Sequence, residues 1–181
     1  MSYGWEGEKV RLVPLDKSKH LDNALLWLND PETTELMLSG DFPLSAPAEE
    51  EYFDQSMKLN QDRARFAIET HDGDHIGFVG MVREIEWQHR SATIGIIIGL
   101  REYRGIGYGV DALRVQARHA FEVLGLRLLL ADAFTANKPS CQALCKVGYR
   151  EVGVIPDRYW RRGALRDVAL FALYSENFAS R

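Results

Sequence analysis

The sequence predicts a single α/β domain in which a mixed, mostly antiparallel sheet is flanked by helices. The chain has 181 residues, of which 46% are hydrophobic and 27% are charged, so it can bury one sizeable core. Strand patterns follow one another through the middle of the chain, and the second half alternates strand and helix patterns. A meander followed by strand–helix–strand–helix–strand is typical of a mixed sheet covered by helices. We therefore expect residues 1–181 to form one domain.

Seven segments have the alternating or continuously apolar pattern of a β-strand. The second and third are joined by Asp72-Gly73, a strong hairpin signal, and a polar turn at residues 88–90 follows the third. The fourth is almost entirely apolar, so we expect it to be buried on both faces. In chain order, the predicted strands are residues 9–14, 63–69, 75–86, 93–100, 126–133, 149–155 and 167–174.

Four segments have the apolar periodicity or the end signals of a helix. Ser45, followed by Pro47 and three glutamates, is typical of a helix start, because acidic side chains favour the positive end of the helix dipole. The last predicted helix is capped by Asn137 and ended by Gly148. The predicted helices are residues 21–28, the segment from residue 45, which should bury Tyr52, Phe53 and Met57, and residues 107–124 and 137–147.

Composition and charge exclude several classes of function. The net charge is -4 and no Lys/Arg-rich block occurs, so we do not expect a nucleic-acid partner. Two cysteines, Cys141 and Cys145, form no disulfide framework and suit a reducing compartment, and His71 and His75 flank a turn where we expect them to be solvated. We therefore expect no metal site. The first eight residues do not resemble a signal peptide and no apolar stretch reaches ~18 residues, so we expect a cytoplasmic protein without a membrane span.

One glycine-rich segment, residues 104–109, carries the clearest chemical signal. It follows an apolar strand and opens a long helix, and Gly105, Gly107 and Gly109 let the backbone turn tightly and approach a ligand. Their N–H groups and the dipole of the new helix form a site for an anion, of which a diphosphate is the natural candidate. The spacing matches neither a Rossmann loop nor a P-loop. A purely structural turn is the alternative.

The segment Arg104-Gly105-Ile106-Gly107-Tyr108-Gly109 resembles motif A of the GNAT acetyltransferases, which reads Arg/Gln-x-x-Gly-x-Gly after an apolar strand. Asn137-x-x-Ser140 and Lys146-x-Gly148-Tyr149 resemble a later element of the same family. The resemblance runs from about residue 10 to residue 178. Three parts of the chain resemble the subgroup that contains ribosomal-protein alanine acetyltransferases and spermidine acetyltransferases. They are residues 10–15, residues 89–96, and the pair Gly163 and Asp167.

This resemblance implies a GNAT fold, acetyl-CoA as co-substrate and no metal. In such proteins the sheet splays between the strand before motif A and the strand after its helix, and the pantetheine arm of acetyl-CoA lies in that gap. Backbone groups near the end of the first of these strands would contact the pantetheine and the acetyl carbonyl, where an amide would act as an oxyanion donor. The amides of motif A would hold the diphosphate. The implied cofactor-binding residues are Ile97, Ile98, Arg104, Gly105, Gly107, Tyr108, Gly109, Val110 and Asn137.

The implied reaction is direct attack of an amine on the thioester, which needs a base for the ammonium and an acid for the leaving thiolate. Many relatives carry a tyrosine seven residues after the asparagine, but Leu144 stands there and cannot donate a proton. Ser140, three residues after Asn137, matches a proton donor proposed for ribosomal-protein acetyltransferases, and a structural role in the helix is the alternative. Glu86 lies roughly where relatives place an acidic residue facing the substrate. Strand alternation would put Glu84 on the same face, and a solvated strand end is the alternative for both.

We therefore expect an N-acetyltransferase whose partner is an amine, either the α-amine of a protein N-terminus or the amine of a small molecule. A homodimer is compatible with this expectation. Because Leu144 removes the usual acid, a catalytically silent module that binds acetyl-CoA as a sensor is the alternative function. In this superfamily the N-terminal helices and the last hairpin build the acceptor side, so these segments would select the amine.

Overall fold

The computed structural model describes residues 5–38, 40–58 and 61–178, which form a seven-stranded sheet with helices on both faces. Residues 1–4, on which the expected lack of a signal peptide partly depends, lie outside the described residues. The strands are β1 (Val10–Val13), β2 (Arg65–Thr70), β3 (His75–Met81), β4 (Ser91–Ile98), β5 (Leu128–Phe134), β6 (Arg150–Arg161) and β7 (Ala164–Tyr174). The helices are α1 (Lys17–Leu28), α2 (Pro31–Thr34), α3 (Ala46–Ser56), α4 (Tyr108–Arg118) and α5 (Lys138–Val147).

The order of the sheet is β1-β2-β3-β4-β5-β7-β6, and neighbouring strands are antiparallel except β4 and β5, which are parallel. This mixed, mostly antiparallel sheet confirms the predicted fold class. Helices α4 and α5 contribute side chains to the main core. Helices α1 and α3 cover the opposite face, where Trp27 and Phe53 pack against Phe78 of β3.

The parallel pair β4–β5 is the point at which the sheet opens. The two strands are in register only between Ser91–Thr93 and Leu128–Leu130, and both continue beyond that pairing. Residues 94–98 of β4 therefore diverge from residues 131–134 of β5. The second half of β4 is only partly buried because it faces this gap, so the prediction that the strand is buried on both faces is wrong there.

The predicted third strand, residues 75–86, ends at Met81 because the chain bends away from the sheet after that residue. Ile85 turns back into the core, and its amide donates to the carbonyl oxygen of Asp62 at 2.8 Å. Only an isolated bridge between Glu86 and Ser91 follows. The strand alternation that put Glu84 and Glu86 on one face is therefore wrong.

The helix ends follow the predicted signals closely. The Ser45 side chain caps α3, the Asn137 side chain caps α5, and Gly148 ends α5 in the left-handed region at φ 114°. Helix α4 continues as one π-helical turn, His119–Val123, so the predicted extent 107–124 is confirmed. None of the described helices is both long enough and apolar enough to cross a membrane.

The buried side of α3 differs from the prediction. Phe53 is buried as expected, but Tyr52 and Met57 are exposed. Glu49 is buried in their place and is only 5% exposed. An acidic residue therefore lies between α3 and the sheet, where the sequence predicts apolar contacts.

His75 is not solvated as the sequence predicts. Its ring packs against His20 and Trp27 of α1 and against Phe78 of β3, at centroid distances of 4.5, 4.9 and 4.7 Å. Burial is the main reason that the pKa of His75 falls to about 4, with a further contribution from the neighbouring His20. The residue is therefore neutral at neutral pH and joins α1 to the sheet.

Asp111, in the first turn of α4, fixes the start of the chain to that helix. Its carboxylate is 8% exposed and accepts backbone N–H groups from Glu8, Lys9 and Val10 at 3.2, 2.8 and 3.1 Å. A buried carboxylate needs such donors, because an unpaired charge removed from water is costly. The three bonds align the start of β1 with the N-terminus of α4.

Replacing Asp111 with alanine removes all three acceptor contacts and leaves backbone amides without partners. We expect Asp111→Ala to lower the free energy of unfolding by about 3 kcal/mol and the melting temperature by roughly 6–12 °C. Asp72→Ala, at an exposed turn, is the matched control and should change stability by less than about 0.5 kcal/mol. Denaturant and thermal unfolding measure both variants, and equal stability of the two would show that the Asp111 contacts do not hold the N-terminal segment.

Candidate active site

The glycine-rich loop, residues 104–109, follows β4 and a short 3-10 turn, Arg101–Tyr103, and runs into the first turn of α4. Gly105 and Gly107 have φ angles of 76° and 100°, in the left-handed region that favours glycine. The guanidinium of Arg104 donates to the carbonyl oxygens of Ile98 and Gly99 at 2.8 and 2.6 Å and to Thr33 Oγ1 at 3.2 Å. Arg104 therefore fixes the loop to the end of β4 and to α2.

The N-terminus of α4 presents backbone amides that no helical carbonyl accepts. The first helical bond runs from the Asp111 amide to the Gly107 carbonyl oxygen at 3.0 Å, and Gly107 has no side chain to cap the helix. The amides of Tyr108, Gly109 and Val110 thus lack acceptors within the helix. Together with the helix dipole they suit an anion such as the diphosphate of acetyl-CoA.

Arg104 departs from the predicted role as an amide donor. Its backbone amide donates to the carbonyl oxygen of Arg101 at 3.0 Å, and its side chain is occupied by Ile98, Gly99 and Thr33. Both groups are therefore committed within the protein. The geometry assigns Arg104 to shaping the loop, not to donating its amide to a phosphate.

A cavity of about 670 Å³ follows the gap between β4 and β5. Of the predicted site residues, Ile97, Asn137 and Ser140 line it, and Leu144 lies beside them. Ile98 does not line this cavity and instead ends β4, where its carbonyl oxygen binds Arg104. The gap in the sheet therefore places the end of β4 and the start of α5 around the same cavity.

Helix α5 brings two polar side chains to the cavity, its N-cap residue Asn137 and Ser140. Asn137 Oδ1 accepts the Ser140 amide at 3.2 Å, and Asn137 Nδ2 donates to the Leu36 carbonyl oxygen at 3.2 Å. The Ser140 hydroxyl forms no hydrogen bond with any described residue, so it is free to act on a ligand. Leu144, one turn later, is only 2% exposed.

Glu86 is not brought to this cavity. Its carboxylate accepts the hydroxyl of Ser91 at 2.6 Å, at the end of β4 where the strands are still paired. The open part of the gap lies at the other end of the strand. Glu86 therefore has the position of a solvated carboxylate beside a turn, which was the alternative for this residue.

Two carboxylates that the sequence analysis did not select do line the cavity, Asp132 and Glu49. Ala131 and Ala133 are buried in the main core, so alternation along β5 directs Asp132 to the opposite face, which α1 and α3 cover. Asp132 is half-buried and forms no hydrogen bond or ion pair with the described residues. A lone acid in the apolar run of β5 was the signal that could have identified it.

Glu49 reaches the cavity from α3. Burial raises the pKa of its carboxyl, and the positive charge of Arg65 opposes this rise only in part. Arg65 itself is engaged elsewhere, because its guanidinium lies over the Tyr52 ring at 4.7 Å and donates to the Met81 carbonyl oxygen at 3.2 Å. The sequence does not distinguish Glu49 from Glu50 and Glu51, because all three glutamates suit the start of a helix equally well.

The β6–β7 hairpin and the segment after α2 form the far wall of the cavity. Arg161, only 3% exposed, binds the Asp41 carboxylate and donates to the Thr34 carbonyl oxygen at 2.5 Å. Leu36 and Tyr159, from these two segments, line the cavity. This arrangement joins an N-terminal segment to the last hairpin, the two regions from which the sequence predicts an acceptor side.

The described part of the chain contains no group of three or more His, Cys, Asp and Glu side chains that could hold a metal ion. Cys141 is half-buried and Cys145 is exposed, and both are free thiols. Burial raises the pKa of Cys141, so that thiol is a poor nucleophile at neutral pH. Neither cysteine lines the cavity, whereas the carboxylates of Glu49 and Asp132 and the hydroxyl of Ser140 do.

Comparison with known proteins identifies a family for this arrangement. A model described as "Acetyltransferase (GNAT) domain" matches residues 9–150. The SPbeta prophage-derived uncharacterized N-acetyltransferase YokL of Bacillus subtilis (strain 168) is 25% identical over 175 residues, which cover 96% of this chain and 94% of YokL.

Solved structures share the fold. The spermidine N-acetyltransferase from Vibrio cholerae, in complex with CoA and spermine, superposes with a TM-score of 0.84 at 21% identity, over 93% of this chain and 96% of that one. The microcin C7 self-immunity acetyltransferase MccE, in complex with acetyl-CoA and AMP, gives a TM-score of 0.77 at 17% identity, over 92% of this chain and 93% of that one.

Replacing Gly107 with valine tests the role of the glycine-rich loop. A β-branched side chain resists the positive φ at this position, and it would project where the backbone must approach the diphosphate. We expect Gly107→Val to weaken acetyl-CoA binding by about 100-fold or more, measured by isothermal titration calorimetry, because the amide geometry of the loop would change.

Gly73→Val is the matched control for backbone strain. Gly73 has a similar φ of 96°, and no atom of the described residues lies within 4 Å of the point where its Cβ would be. Both variants should lose similar stability in thermal unfolding, but only Gly107→Val should lose affinity. Unchanged affinity in Gly107→Val would show that the loop is only a turn.

Proposed function

We propose that this chain, which belongs to the GNAT acetyltransferase family, acetylates a primary amine that enters the cavity as a cation. Members of the family use acetyl-CoA as co-substrate, and the chain is an acetyl-CoA-dependent N-acetyltransferase. The finer proposal concerns the acceptor, which would be the α-amine of a protein N-terminus or the amine of a small molecule. The observation that carries it is the pair of carboxylates, Asp132 and Glu49, in the cavity beside the sheet gap.

Two carboxylates, Glu49 and Asp132, and two guanidinium groups, Arg65 and Arg83, line the cavity, and it is Asp132, unpartnered among the described residues, that favours an ammonium group as acceptor. Asp132 has no cationic partner among the described residues, and the Arg65 charge only partly offsets the burial of Glu49. An incoming ammonium would supply the missing positive charge, since opposite charges attract more strongly where water is partly excluded. The apolar side chains of Leu36 and Phe53 would bind the carbon skeleton of the amine.

In the proposed reaction, Asp132 takes a proton from the bound ammonium, directly or through one water molecule. The nitrogen lone pair then attacks the carbonyl carbon of the acetyl thioester and the C–N bond forms. The positively charged nitrogen loses its second proton to water as the C–S bond breaks. The Ser140 hydroxyl protonates the leaving thiolate of CoA and recovers a proton from solvent. The products are the amide and free CoA, and Asp132 returns its proton to water.

Asp132 replaces Glu86 as our proposed base. Asp132 lines the cavity, whereas Glu86 is hydrogen-bonded to Ser91 at the end of β4 where the strands are still paired. A base must come within hydrogen-bond reach of the proton that it removes, directly or through one water. This requirement supports Asp132, which lines the cavity beside the gap.

One observation favours the alternative of a catalytically silent sensor. Leu144 lines the cavity where many relatives carry the tyrosine acid, and it cannot donate a proton. Release of free thiol from acetyl-CoA, with a panel of polyamines, aminoglycosides, amino acids and short peptides, separates the two functions. Turnover with any acceptor supports the enzyme, and tight binding of acetyl-CoA without turnover supports the sensor.

Substitution of Asp132 tests the proposed base. With an acceptor from the panel, we expect Asp132→Asn to lower kcat by roughly 10²–10⁴-fold, the usual range for general acid–base catalysis. Affinity for acetyl-CoA should stay within about twofold, because a neutral amide preserves shape and removes only the proton acceptor. Glu86→Gln is the direct comparison and should retain near-normal kcat. A large loss in Glu86→Gln with none in Asp132→Asn would restore Glu86 as the base.

Substitution of Ser140 tests the proposed acid. Ser140→Ala should lower kcat by about 10-fold or more and leave acetyl-CoA affinity nearly intact, because the hydroxyl would act only on the leaving thiolate. Leu144→Tyr is the companion variant and should rescue Ser140→Ala if the cavity admits the larger ring, which thermal unfolding checks. A loss below about threefold in Ser140→Ala would mean that solvent protonates the thiolate.

A further inference from the structure

We propose that Lys9 supplies a side-chain positive charge to the diphosphate of acetyl-CoA at the N-terminus of α4. This inference rests on the cofactor site at the glycine-rich loop and adds a residue from outside the GNAT motif. Its basis is the position of Lys9 beside Gly107 and Tyr108, together with the commitment of the arginines in and next to the loop to other partners.

The backbone of Lys9 is fixed to the helix that forms the anion site. The Lys9 amide donates to Asp111 Oδ2 at 2.8 Å, and the amides of Glu8 and Val10 bind the same carboxylate. Since Asp111 lies in the first turn of α4, these bonds place Lys9 beside the helix N-terminus. The start of β1 is thus held next to the loop although about 100 residues separate them.

The Lys9 side chain extends along the loop. Its Cε lies 3.4 Å from the point that a Cβ on Gly107 would occupy, and its Nζ lies 5.2 Å from the centre of the Tyr108 ring. Tyr108 is the first residue of α4, one of the positions whose amide has no helical acceptor. The ammonium therefore stands on the same side of the loop as Gly107 and next to the proposed diphosphate position.

The nearby arginines are not available for that task. Arg101 binds the Glu32 carboxylate, and Arg104 binds the carbonyl oxygens of Ile98 and Gly99. Lys9 forms no ion pair with any carboxylate of the described residues. The Asp111 carboxylate, which accepts the Lys9 amide, is already satisfied by three backbone amides. Lys9 thus retains its charge for a ligand.

A diphosphate carries more negative charge than backbone amides alone can balance. Amides and a helix dipole contribute partial charges, whereas an ammonium contributes a full one. Lysine suits this position because its long, flexible side chain can reach a phosphate oxygen, and its ammonium group binds phosphate as a point charge. The exposed position of Lys9 limits the gain, so we expect a moderate effect on affinity.

Calorimetric titration with acetyl-CoA tests the proposal on four proteins: the unchanged chain, Lys9→Gln, Lys9→Arg and Lys19→Gln. We expect Lys9→Gln to raise Kd by about fivefold at low salt, and Lys9→Arg to stay within about twofold because it keeps the charge. Lys19, on α1 and paired with Asp16, is the control for loss of one positive charge. Lys19→Gln should stay within about twofold.

Salt and a second ligand separate the charge of Lys9 from its packing on Tyr108. The Lys9→Gln effect should shrink in about 1 M salt, where screening is strong, and should persist with acetyl-dephospho-CoA, which keeps the diphosphate. Equal Kd values for the unchanged chain and Lys9→Gln would overturn the proposal. Loss of the effect with acetyl-dephospho-CoA would also overturn it, because Lys9 would then bind the ribose phosphate. Failure of the unchanged chain to bind acetyl-CoA would instead contradict the cofactor site itself.

Discussion

The short parallel pairing between β4 and β5 is the constraint on which the rest of the site depends. Beyond Thr93 and Leu130 the strands diverge, so a row of backbone N–H and C=O groups loses its partners in the sheet. Buried backbone groups must find other partners. Arg104 satisfies the last carbonyl oxygens of this row, at Ile98 and Gly99, and fixes the glycine-rich loop by the same bonds. The backbone groups of residues 94–97 that face the gap are available to an extended ligand such as the pantetheine arm of acetyl-CoA.

The cofactor side and the acceptor side are joined by a few polar contacts. Asn137 caps α5 with its side-chain carbonyl oxygen and donates from its amide nitrogen to the Leu36 carbonyl oxygen. One side chain therefore contacts both α5, which carries the proposed acid Ser140, and the far wall of the cavity. Arg161 joins the last hairpin to Thr34 and Asp41. Since these residues are distant in sequence, the shape of the acceptor end depends on contacts between segments and not on any one motif.

The sequence predicts the helices whose ends have local signals. It fails where contacts between distant segments decide the path of the chain. Ser45 and Gly148 act within one turn of their helices, so the predicted ends of α3 and α5 are confirmed. The bend after Met81 depends on a contact between Ile85 and Asp62, which no periodicity shows. Glu86 was selected through the family resemblance, on a predicted strand that in fact ends at Met81. Asp132 was missed because its exposure to the cavity results from the sheet opening.

Asp111 shows how a residue of the fold can also serve the cofactor site. A carboxylate in the first turn of a helix would repel a diphosphate at the same N-terminus. Here three backbone amides surround Asp111 and compensate much of its charge, so the amides of Tyr108 to Val110 can still attract an anion. The same three bonds bring Lys9 to the loop. One buried carboxylate therefore secures the start of β1, has its own charge compensated by three amides and places the Lys9 side chain beside the glycine-rich loop.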